Sequence, residues 1–400
     1  MNRADAAWIG AGEAARRLGV SRATLYAYVS RGLIRSQPSP SSTRERTYAR
    51  EDVERLRRRT EERRAPDKAA SRALQWGMPI LESSIALIDG QRLYYRGHDA
   101  AALAGSRSLE EVAALIWTGG FDLPPPLQSE ARIADPDRSI PFTARAHALL
   151  AVAAARDPMA MDTRPAGVAR TGFKILRLLT GAATAPDRSG GTAHAALARK
   201  WKLDSHGMEI VRAALVLCAD HELNVSAFTA RCVASAGSHP YAVVSAGLAA
   251  LEGPRHGGAG ARVESMLASL RRSAPLRQAL AARLRRGEPI DGFGHPLYRD
   301  GDPRAAVLLA LLNSRDPRST ESRFIADFAR AATGATGDHP NLDFALAAIG
   351  RVLALPAGSP LAIFAIGRSV GWIGHAIEQY ATGQLIRPRA KYVGAAPAAE

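Results

Sequence analysis

The stretch Gly253-Pro-Arg-His-Gly-Gly-Ala259 is a glycine-rich break between two apolar segments, and a histidine lies at its centre. Glycines beside a histidine let a ligand or another backbone approach the imidazole closely, because they carry no Cβ. The same layout returns at Gly292-Phe-Gly-His295, and the break Ala219-Asp-His-Glu-Leu-Asn224 carries another histidine. Polar groups confined to such breaks predict a helical body whose functional residues gather at helix ends.

Long stretches rich in Ala, Leu and Arg surround these breaks, and this composition favours helix. The predicted helices are Thr143–Ala155, Ala195–Lys202, Met208–Ala219 and Ala261–Arg286, the last with a break near Pro275. Strand-like alternation is scarce, and the best short candidates are Ser83–Ile88 and Arg92–Tyr95. Because the alternating β-α pattern of nucleotide-binding folds is missing, the sequence predicts an all-α body.

Further candidate groups lie at Asp302-Pro-Arg304, Asn341-Leu-Asp343 and Arg368. Arginine binds carboxylates through a planar fork. Aspartate can remove a carbon-bound proton when histidines stabilise the enol and polarise the acceptor. The set therefore suits carbon-acid chemistry on an anionic substrate. Each histidine taken alone is more often a satisfied turn residue, so this interpretation depends on the whole set.

Composition excludes several classes of protein. The 400 residues include two cysteines, Cys218 and Cys232, and no CxxC. A disulfide framework and a cysteine-based zinc module are therefore excluded, and a reducing, cytoplasmic compartment is favoured. No apolar run reaches about 18 residues without a charge, which predicts no membrane span. The N-terminus lacks the charged-then-apolar pattern of a secretion signal.

Common catalytic motifs are also missing. The chain has neither GxxxxGK[ST] nor HExxH, so neither a P-loop nor a metal site is predicted. Gly367-Arg-Ser-Val-Gly371 matches the nucleophile elbow GxSxG, which needs a downstream acid and then a histidine. His375 is the single histidine after Ser369 and no acid lies between them, so a serine hydrolase is discarded.

Residues 1–72 concentrate the positive charge, with 17 lysines and arginines against 9 acidic residues, in a chain of formal net charge +15. A short helix at Glu13–Leu18, a glycine stop, and a second helix capped by Ser21 and running to Arg31 form a helix-turn-helix pattern. Gln37–Thr47 reads as a loop or hairpin wing, and Tyr48–Leu56 as the start of a third helix.

This front segment resembles the winged helix-turn-helix modules of the MerR and excisionase families, above all in its closing Tyr-x-Arg-Glu-Asp-Val-x-x-Leu. The resemblance implies a domain at 1–60 that binds double-stranded DNA, followed by a basic linker at 61–73. By position, Arg22 and Tyr26 would face bases, while Arg44 and Arg46 would face the phosphate backbone. The alternative is a small helical interaction cap without DNA contact.

Residues 74–395 resemble the citrate synthase family. The breaks quoted above carry the resemblance, in their order and spacing, together with Ile85–Gly90, Tyr95–Gly97, Gly371-Trp-Ile and Ile386-Arg-Pro-Arg389. It implies an all-α homodimer with a large domain at 74–256 and 351–400 and a small domain at 257–350. The implied substrates are acetyl-CoA and oxaloacetate, and no cofactor or membrane is implied.

The resemblance also implies a role for each matching residue. Asp343 would remove a proton from the acetyl methyl group, His256 would stabilise the enol, and His295 would polarise the ketone. His221, Arg304 and Arg368 would hold the carboxylates of the oxoacid, with Arg387 reaching in from the partner subunit. Arg299 would lie near the phosphates of CoA. Pro296 departs from the family pattern, and it stiffens the loop without removing a chemical group.

Three functions fit this reading of the sequence. The first is a citrate synthase with a DNA-binding appendage. The second is the same fold acting on propionyl-CoA to give 2-methylcitrate, since the sequence does not size the acyl pocket. The third is a transcription regulator that uses the body as a metabolite sensor. Retention of Asp343 with both histidines argues against pure sensing, because sensing needs the arginines but no carbon base.

Overall fold

The structure, a computed structural model, describes residues 8–39, 42–64, 81–123, 137, 139–184, 191–271, 275–390 and 392–395, without the side chains of 42–44 and 58–64. The chain divides into two compact units between Glu82 and Ser83. Of the segment 61–73 expected as a linker, residues 61–64 belong to a helix of the first unit, and the rest lies outside the described residues.

The first unit combines a helix-turn-helix with a three-stranded sheet. Its elements are β1 (Trp8–Gly10), α1 (Ala11–Leu18), α2 (Arg22–Ser30), β2 (Ser36–Ser39), β3 (Ser42–Ala49) and α3 (Arg50–Arg64). The sheet is antiparallel in the order β1-β3-β2. The predicted wing is thus confirmed as the hairpin of β2 and β3.

Local chemistry sets the turn between α1 and α2 as the sequence predicts. Gly19 ends α1 in the left-handed region, with φ of 64°, which glycine adopts without strain. Ser21 caps α2, since its Oγ accepts the amide N–H of Thr24 at 3.2 Å. The two helices close over one apolar core made of Ile9, Ala14, Ala15, Leu18, Leu25, Ile34, Tyr48 and Val53.

The predicted start of the third helix at Tyr48 is wrong. Tyr48 lies in β3, where it pairs with Ile9 of β1 and Ser36 of β2, and α3 begins at Arg50. Its side chain is 1% exposed within the core of the first unit. Burial of the ring and pairing on both sides of the strand override the helical pattern of the following residues.

The second unit is mostly helical, as predicted. Its described helices are α4 (Ala100–Ser106), α5 (Leu109–Thr118), α6 (Phe142–Arg156), α7 (Pro165–Thr184), α8 (Ala193–Trp201), α9 (Ser205–Leu217), α10 (Val225–Ser235), α11 (Pro240–Leu251), α12 (Ala259–Arg271), α13 (Leu276–Arg285), α14 (Pro303–Arg315), α15 (Thr320–Thr336), α16 (Leu342–Val352) and α17 (Ser359–Thr382). The four helical segments predicted from composition are confirmed, with ends that differ by up to three residues.

Strands of the second unit, within its described residues, form one small antiparallel sheet. They are β4 (Ala86–Asp89), β5 (Arg92–Tyr95) and β6 (His98–Asp99), in the order β4-β5-β6. Both predicted strands are present, and the first begins three residues later than expected. The side chain of Tyr95, the last residue of β5, is buried in the core, where its hydroxyl donates to the carbonyl of Val216 at 3.1 Å.

Helix α17 runs through the middle of the second unit. By length and composition it could cross a membrane, but 94% of its apolar window is buried inside the protein, as in the core helix of a globular body. The helix lies against the end of α9 at two glycines. A Cβ on Gly367 would lie 2.5 Å from the carbonyl oxygen of Leu215, and one on Gly371 would lie 2.3 Å from Oδ1 of Asp220. This close approach brings Arg368, between them, to the loop after α9.

Candidate functional site

His256 lies on a tight turn that a neighbouring arginine holds in place. The turn follows α11 and precedes α12, and the amide N–H of His256 donates to the carbonyl of Gly253 at 2.9 Å. Arg262, one turn into α12, donates to the carbonyl of Pro254 and to Oδ1 of Asp291, the latter at 2.8 Å. The guanidinium therefore ties the His256 turn to the segment that leads into the His295 loop.

The His295 loop is paired with the segment that enters α16. Phe293 and Pro340 form an isolated antiparallel bridge. The amide N–H of Gly294 donates to the carbonyl of His339 at 2.8 Å, and that of Asn341 donates to the carbonyl of Gly292 at 2.9 Å. His295 thus keeps a defined position relative to the first turn of α16, which carries Asp343.

Asp302 joins the start of α14 to the start of α16. Its carboxylate accepts a bidentate pair from Arg304, with Nε to Oδ1 at 2.9 Å and Nη2 to Oδ2 at 2.8 Å. Oδ2 also accepts the amide N–H of Leu342 at 3.1 Å. Asn341 caps α16 by accepting the amide N–H of Asp343 at 3.0 Å. Arg304 and Asp343 are therefore held side by side.

Burial gives Asp343 the basicity of a group that titrates near neutral pH. Removal of the carboxyl from water raises the pKa of Asp343 to about 6, against the opposing charge of Arg304. An aspartate with this pKa is ionised at pH 7 and binds a proton more tightly than an ordinary carboxylate does. It suits a general base.

Both candidate histidines are neutral at pH 7. Burial, followed by the charge of Arg368, lowers the pKa of His256 to about 4, and burial with Arg304 does the same for His295. Nδ1 of His295 accepts the amide N–H of Leu297 at 3.2 Å, so the neutral ring carries its proton on Nε2. That N–H is the kind of donor that a ketone oxygen needs.

The ring of His256 is hydrogen-bonded to the hydroxyl of Ser226, at the start of α10. Oγ of Ser226 lies 2.8 Å from Nε2 of His256 and 2.8 Å from Oδ1 of Asn224, which accepts. The hydroxyl has one hydrogen, so it donates to one partner at a time. When it donates to Asn224, Nε2 of His256 carries the ring proton and donates to the hydroxyl. When it donates to Nε2 of His256, the ring proton must lie on Nδ1.

His221 lies in the buried loop after α9, close to His295. The two ring centroids are 5.2 Å apart in an edge-to-face arrangement, and Nε2 of His221 lies 2.9 Å from the hydroxyl of Tyr298. Burial, then Arg304 and Arg368, lower the pKa of His221 well below its usual value. Burial raises the pKa of Tyr298 to about 12, so its hydroxyl stays protonated.

The charges of two buried arginines act on Asp343 and on the three histidines of the site. Arg304 is 4% exposed and Arg368 is 1% exposed, and Nε of Arg368 donates to the carbonyl of Cys218 at 2.7 Å. The field of Arg304 acts on His221, His295 and Asp343, whereas that of Arg368 acts on His221, His256 and Asp343. The structure therefore brings together six of the predicted residues: His221, His256, His295, Arg304, Asp343 and Arg368.

Arg299 and Arg387, the other two residues predicted for the body, are not shown to lie with these six residues in the same chain. Arg299 is exposed on the loop after His295. Arg387 is exposed in the tail after α17, and it is not among the main charges that act on Asp343 or the three histidines. Both arginines therefore remain predictions.

Sequence reasoning missed Ser226, Tyr298 and Arg262. Ser226 is 30 positions from the histidine that it contacts, and no local pattern links the two. Tyr298 had a signal, because it lies three residues after His295 in a loop already singled out. Arg262 had none, since its role depends on reaching two segments at once. No group of three metal-ligating side chains occurs among the residues that the structure describes.

A second candidate surface lies on the first unit. Tyr26 is 52% exposed on α2, and Arg22 and Arg46 are also exposed. Burial and Tyr26 raise the pKa of Tyr48, while Arg46 and Arg22 oppose them, so all three side chains are near enough to act electrostatically on the Tyr48 hydroxyl. This cluster has the composition of a nucleic-acid contact. The side chain of Arg44 is outside the described part of the structure.

Comparison with known proteins gives each unit a family. The family described as "Citrate synthase, C-terminal domain" matches residues 73–177 and 166–389. The family described as "MerR HTH family regulatory protein" matches residues 11–60.

Individual relatives span most of the second unit. A citrate synthase of Haloferax volcanii is 31% identical over 362 residues, which cover 80% of this chain and 94% of that protein. A 2-methylcitrate synthase of Shewanella oneidensis is 27% identical over 357 residues, which cover 78% of this chain and 91% of that protein. The fold also matches a citrate synthase of Thermoplasma acidophilum, solved in a ternary complex with carboxymethyl coenzyme A and oxaloacetate. That match has a TM-score of 0.68 at 24% identity, and it covers 81% of this chain and 96% of the other.

Proposed function

The chain belongs to the citrate synthase family and carries an N-terminal MerR-type helix-turn-helix domain, and from that premise we propose that it condenses acetyl-CoA with oxaloacetate to citrate and CoA. The observation that carries the proposal is the arrangement that holds Asp343 on the first turn of α16, next to the paired His295 loop and two buried arginines. Burial raises the pKa of this carboxyl to about 6, as a general base requires. Within the body we propose a large domain at 74–256 and 351–400 and a small domain at 257–350.

In the proposed reaction Asp343 removes a proton from the acetyl methyl group. In the tautomer that this step requires, Ser226 turns its hydroxyl hydrogen from Asn224 to Nε2 of His256. The Nδ1–H of His256 then hydrogen-bonds the thioester oxygen and stabilises the enol. A neutral donor suits this step, because it leaves the enol reactive enough to attack carbon.

The enol carbon then attacks the ketone of oxaloacetate, which His295 polarises through Nε2–H. His221, Arg304 and Arg368 hold the carboxylates, and the two arginines supply permanent positive charge in a site shielded from water. Water then hydrolyses the thioester and releases CoA. Arg299 binds the CoA phosphates.

The direct test is thiol release in the presence of each acyl-CoA. We expect CoA to be released from acetyl-CoA in a reaction that depends strictly on oxaloacetate. A higher kcat/KM with propionyl-CoA would instead assign the chain to 2-methylcitrate synthesis, which the Shewanella relative makes the second candidate. Absence of oxaloacetate-dependent release with any short acyl-CoA would contradict both enzymes and favour the sensor.

We propose that the enzyme is a cytoplasmic homodimer whose Arg387 completes the site of the partner subunit. Arg387 is exposed, and it is not among the main charges that act on Asp343 of its own chain. We expect Asp343→Ala and Arg387→Ala each to be inactive as homodimers. A heterodimer of the two should regain turnover, because one of its sites then receives an intact Asp343 and an intact arginine. If Arg387 acts within its own chain, the mixed dimer stays inactive.

We further propose that the first unit binds double-stranded DNA through Arg22, Tyr26, Arg44 and Arg46. A dimeric body would present two such modules related by symmetry, as a reader of paired half-sites requires. Binding of oxaloacetate to the body is proposed to change the affinity of the first unit for DNA. Thermodynamic reciprocity then requires DNA to change the affinity for oxaloacetate by the same factor.

We expect the double variant Arg22→Ala/Tyr26→Ala to weaken binding to the gene's upstream fragment by about tenfold or more, and to flatten its salt dependence. Fluorescence anisotropy at stated salt measures this, with and without oxaloacetate. Arg330→Ala, which removes an exposed arginine of the second unit, is the control. Equal affinity of the double variant and the control would exclude these side chains as DNA contacts. If oxaloacetate left the DNA-binding curve unchanged, the coupling would be excluded, but DNA binding by the first unit would not.

A further inference from the structure

His375 is a fully buried histidine of α17 that the proposed reaction does not use. Its Nε2 lies 3.1 Å from Oδ1 of Asp220, and both side chains are 0% exposed. The other ring nitrogen, Nδ1, is buried without a hydrogen-bond partner and lies 4.0 Å from Oε2 of Glu378. A buried polar atom left unsatisfied opposes folding, so such a ring calls for a physical reason.

The carboxylate that His375 contacts lies next to His221 in the loop after α9. Oδ2 of Asp220 accepts the amide N–H of Glu222 at 3.1 Å, and this bond spans His221. Glu222 has φ of 53°, a left-handed conformation that a residue with a Cβ adopts at a cost. The loop therefore takes a strained turn directly after His221, and the Asp220 carboxylate holds that turn closed.

Helix α17 holds the same loop at its backbone. The amide N–H of Gly371 donates to the carbonyl of Ala219 at 2.9 Å, and Arg368 donates to the carbonyl of Cys218. Because Gly371 lacks a Cβ, the Asp220 carboxylate can lie against the helix. His375, one helical turn further on, then supplies the side-chain donor that satisfies the Asp220 oxygen facing the helix.

We propose that His375 is a positioning residue for the oxoacid. Through its bond to Asp220 it sets the turn that aims the His221 ring at the substrate carboxylate. The inference rests on the proposed function, because it takes His221 as a ligand of oxaloacetate. Loss of the bond should then weaken oxaloacetate binding and leave acetyl-CoA binding nearly unchanged, since the acetyl group is handled by His256 and Asp343.

A pair of amide substitutions isolates the bond. In His375→Gln the amide nitrogen can take the place of Nε2 and still donate to Asp220, whereas in His375→Asn the shorter side chain cannot reach it. Ser369→Ala is the matched control, because Ser369 is equally buried in α17 but donates within its own helix, to the carbonyl of Ile366.

Steady-state kinetics with each substrate varied gives the readout. We expect His375→Asn to raise the KM for oxaloacetate about tenfold or more, as for loss of a hydrogen bond to a buried charge. His375→Gln and Ser369→Ala should stay within about threefold of the parent, and the KM for acetyl-CoA should hardly move in any variant. Should His375→Asn fail to fold, Asp220→Asn removes the carboxylate from the same contact and should give the same selective rise.

Two results would overturn the assignment. One is an unchanged KM for oxaloacetate in the folded variant that lacks the bond. The other is an equal rise in both KM values, which a merely structural histidine would give. Failure of the proposed function looks different, because the parent itself would then show no oxaloacetate-dependent turnover. If the parent also failed to bind oxaloacetate in a calorimetric titration, the assignment of His375 would fall with it.

Discussion

Replacing Asp343 by alanine is expected to lower kcat by about two to four orders of magnitude, the range for loss of a general base. Oxaloacetate should still bind, because its carboxylates are held by His221, Arg304 and Arg368. The measurement is turnover with acetyl-CoA beside a calorimetric titration with oxaloacetate. Asp338→Ala, which removes an exposed acid before α16, is the matched control and should retain activity. Equal activity in Asp343→Ala and the parent would remove Asp343 from the mechanism.

The same carboxylate should dominate the pH profile. Burial raises the pKa of Asp343 to about 6, and the base works only when ionised. Activity should therefore be full above that pKa and fall about tenfold per pH unit below it. The two histidines, with pKa values of about 4, are already neutral across this window and should not contribute to the decline. A profile flat from pH 7 down to 5 would contradict the assignment of the base.

Loss of the His256 ring is expected to have the second largest effect. His256→Ala should lower kcat by about two to three orders of magnitude, as when one donor to a developing oxyanion is removed. Ser226→Ala should cost less, about tenfold, because the ring remains and only its hydrogen bond with the Ser226 hydroxyl is lost. The comparison requires single-turnover kinetics, which separate chemistry from product release.

The relative loss of activity in these two variants distinguishes the role of the serine from that of the histidine. If Ser226→Ala were as damaging as His256→Ala, the serine would itself act on the substrate. If His256→Ala kept the activity of the parent, the turn at Gly253–Ala259 would be a structural element alone.

The sequence predicted most of the helical scaffold because its signals are local. Glycine at position 19 ends a helix and serine at 21 caps the next one through their own chemistry, and the structure places both as expected. The start of the third helix was misplaced at Tyr48 because strand pairing with β1 and β2, a non-local effect, overrides the local pattern.

The candidate site was predictable as a set of residues but not as a geometry. Histidines flanked by glycine marked the loops, and the family resemblance supplied the roles. The hydrogen bonds that hold the loops of the site in place could not be predicted, because their partners are far apart in the sequence. Asp302 contacts Leu342 across 40 positions, and Asp220 contacts His375 across 155. The raised pKa of Asp343 likewise follows from burial that only the folded chain creates.

The central claim, that Asp343 removes a methyl proton so that carbon attacks carbon, is tested most directly by isotope retention. Acetyl-CoA carrying three deuterons on its methyl group is incubated with oxaloacetate and the enzyme, and the products are weighed by mass spectrometry. Proton removal by Asp343 predicts oxaloacetate-dependent formation of citrate that retains two of the three deuterons, with the third lost to solvent. Release of acetate with all three deuterons, or CoA release without citrate, would contradict it.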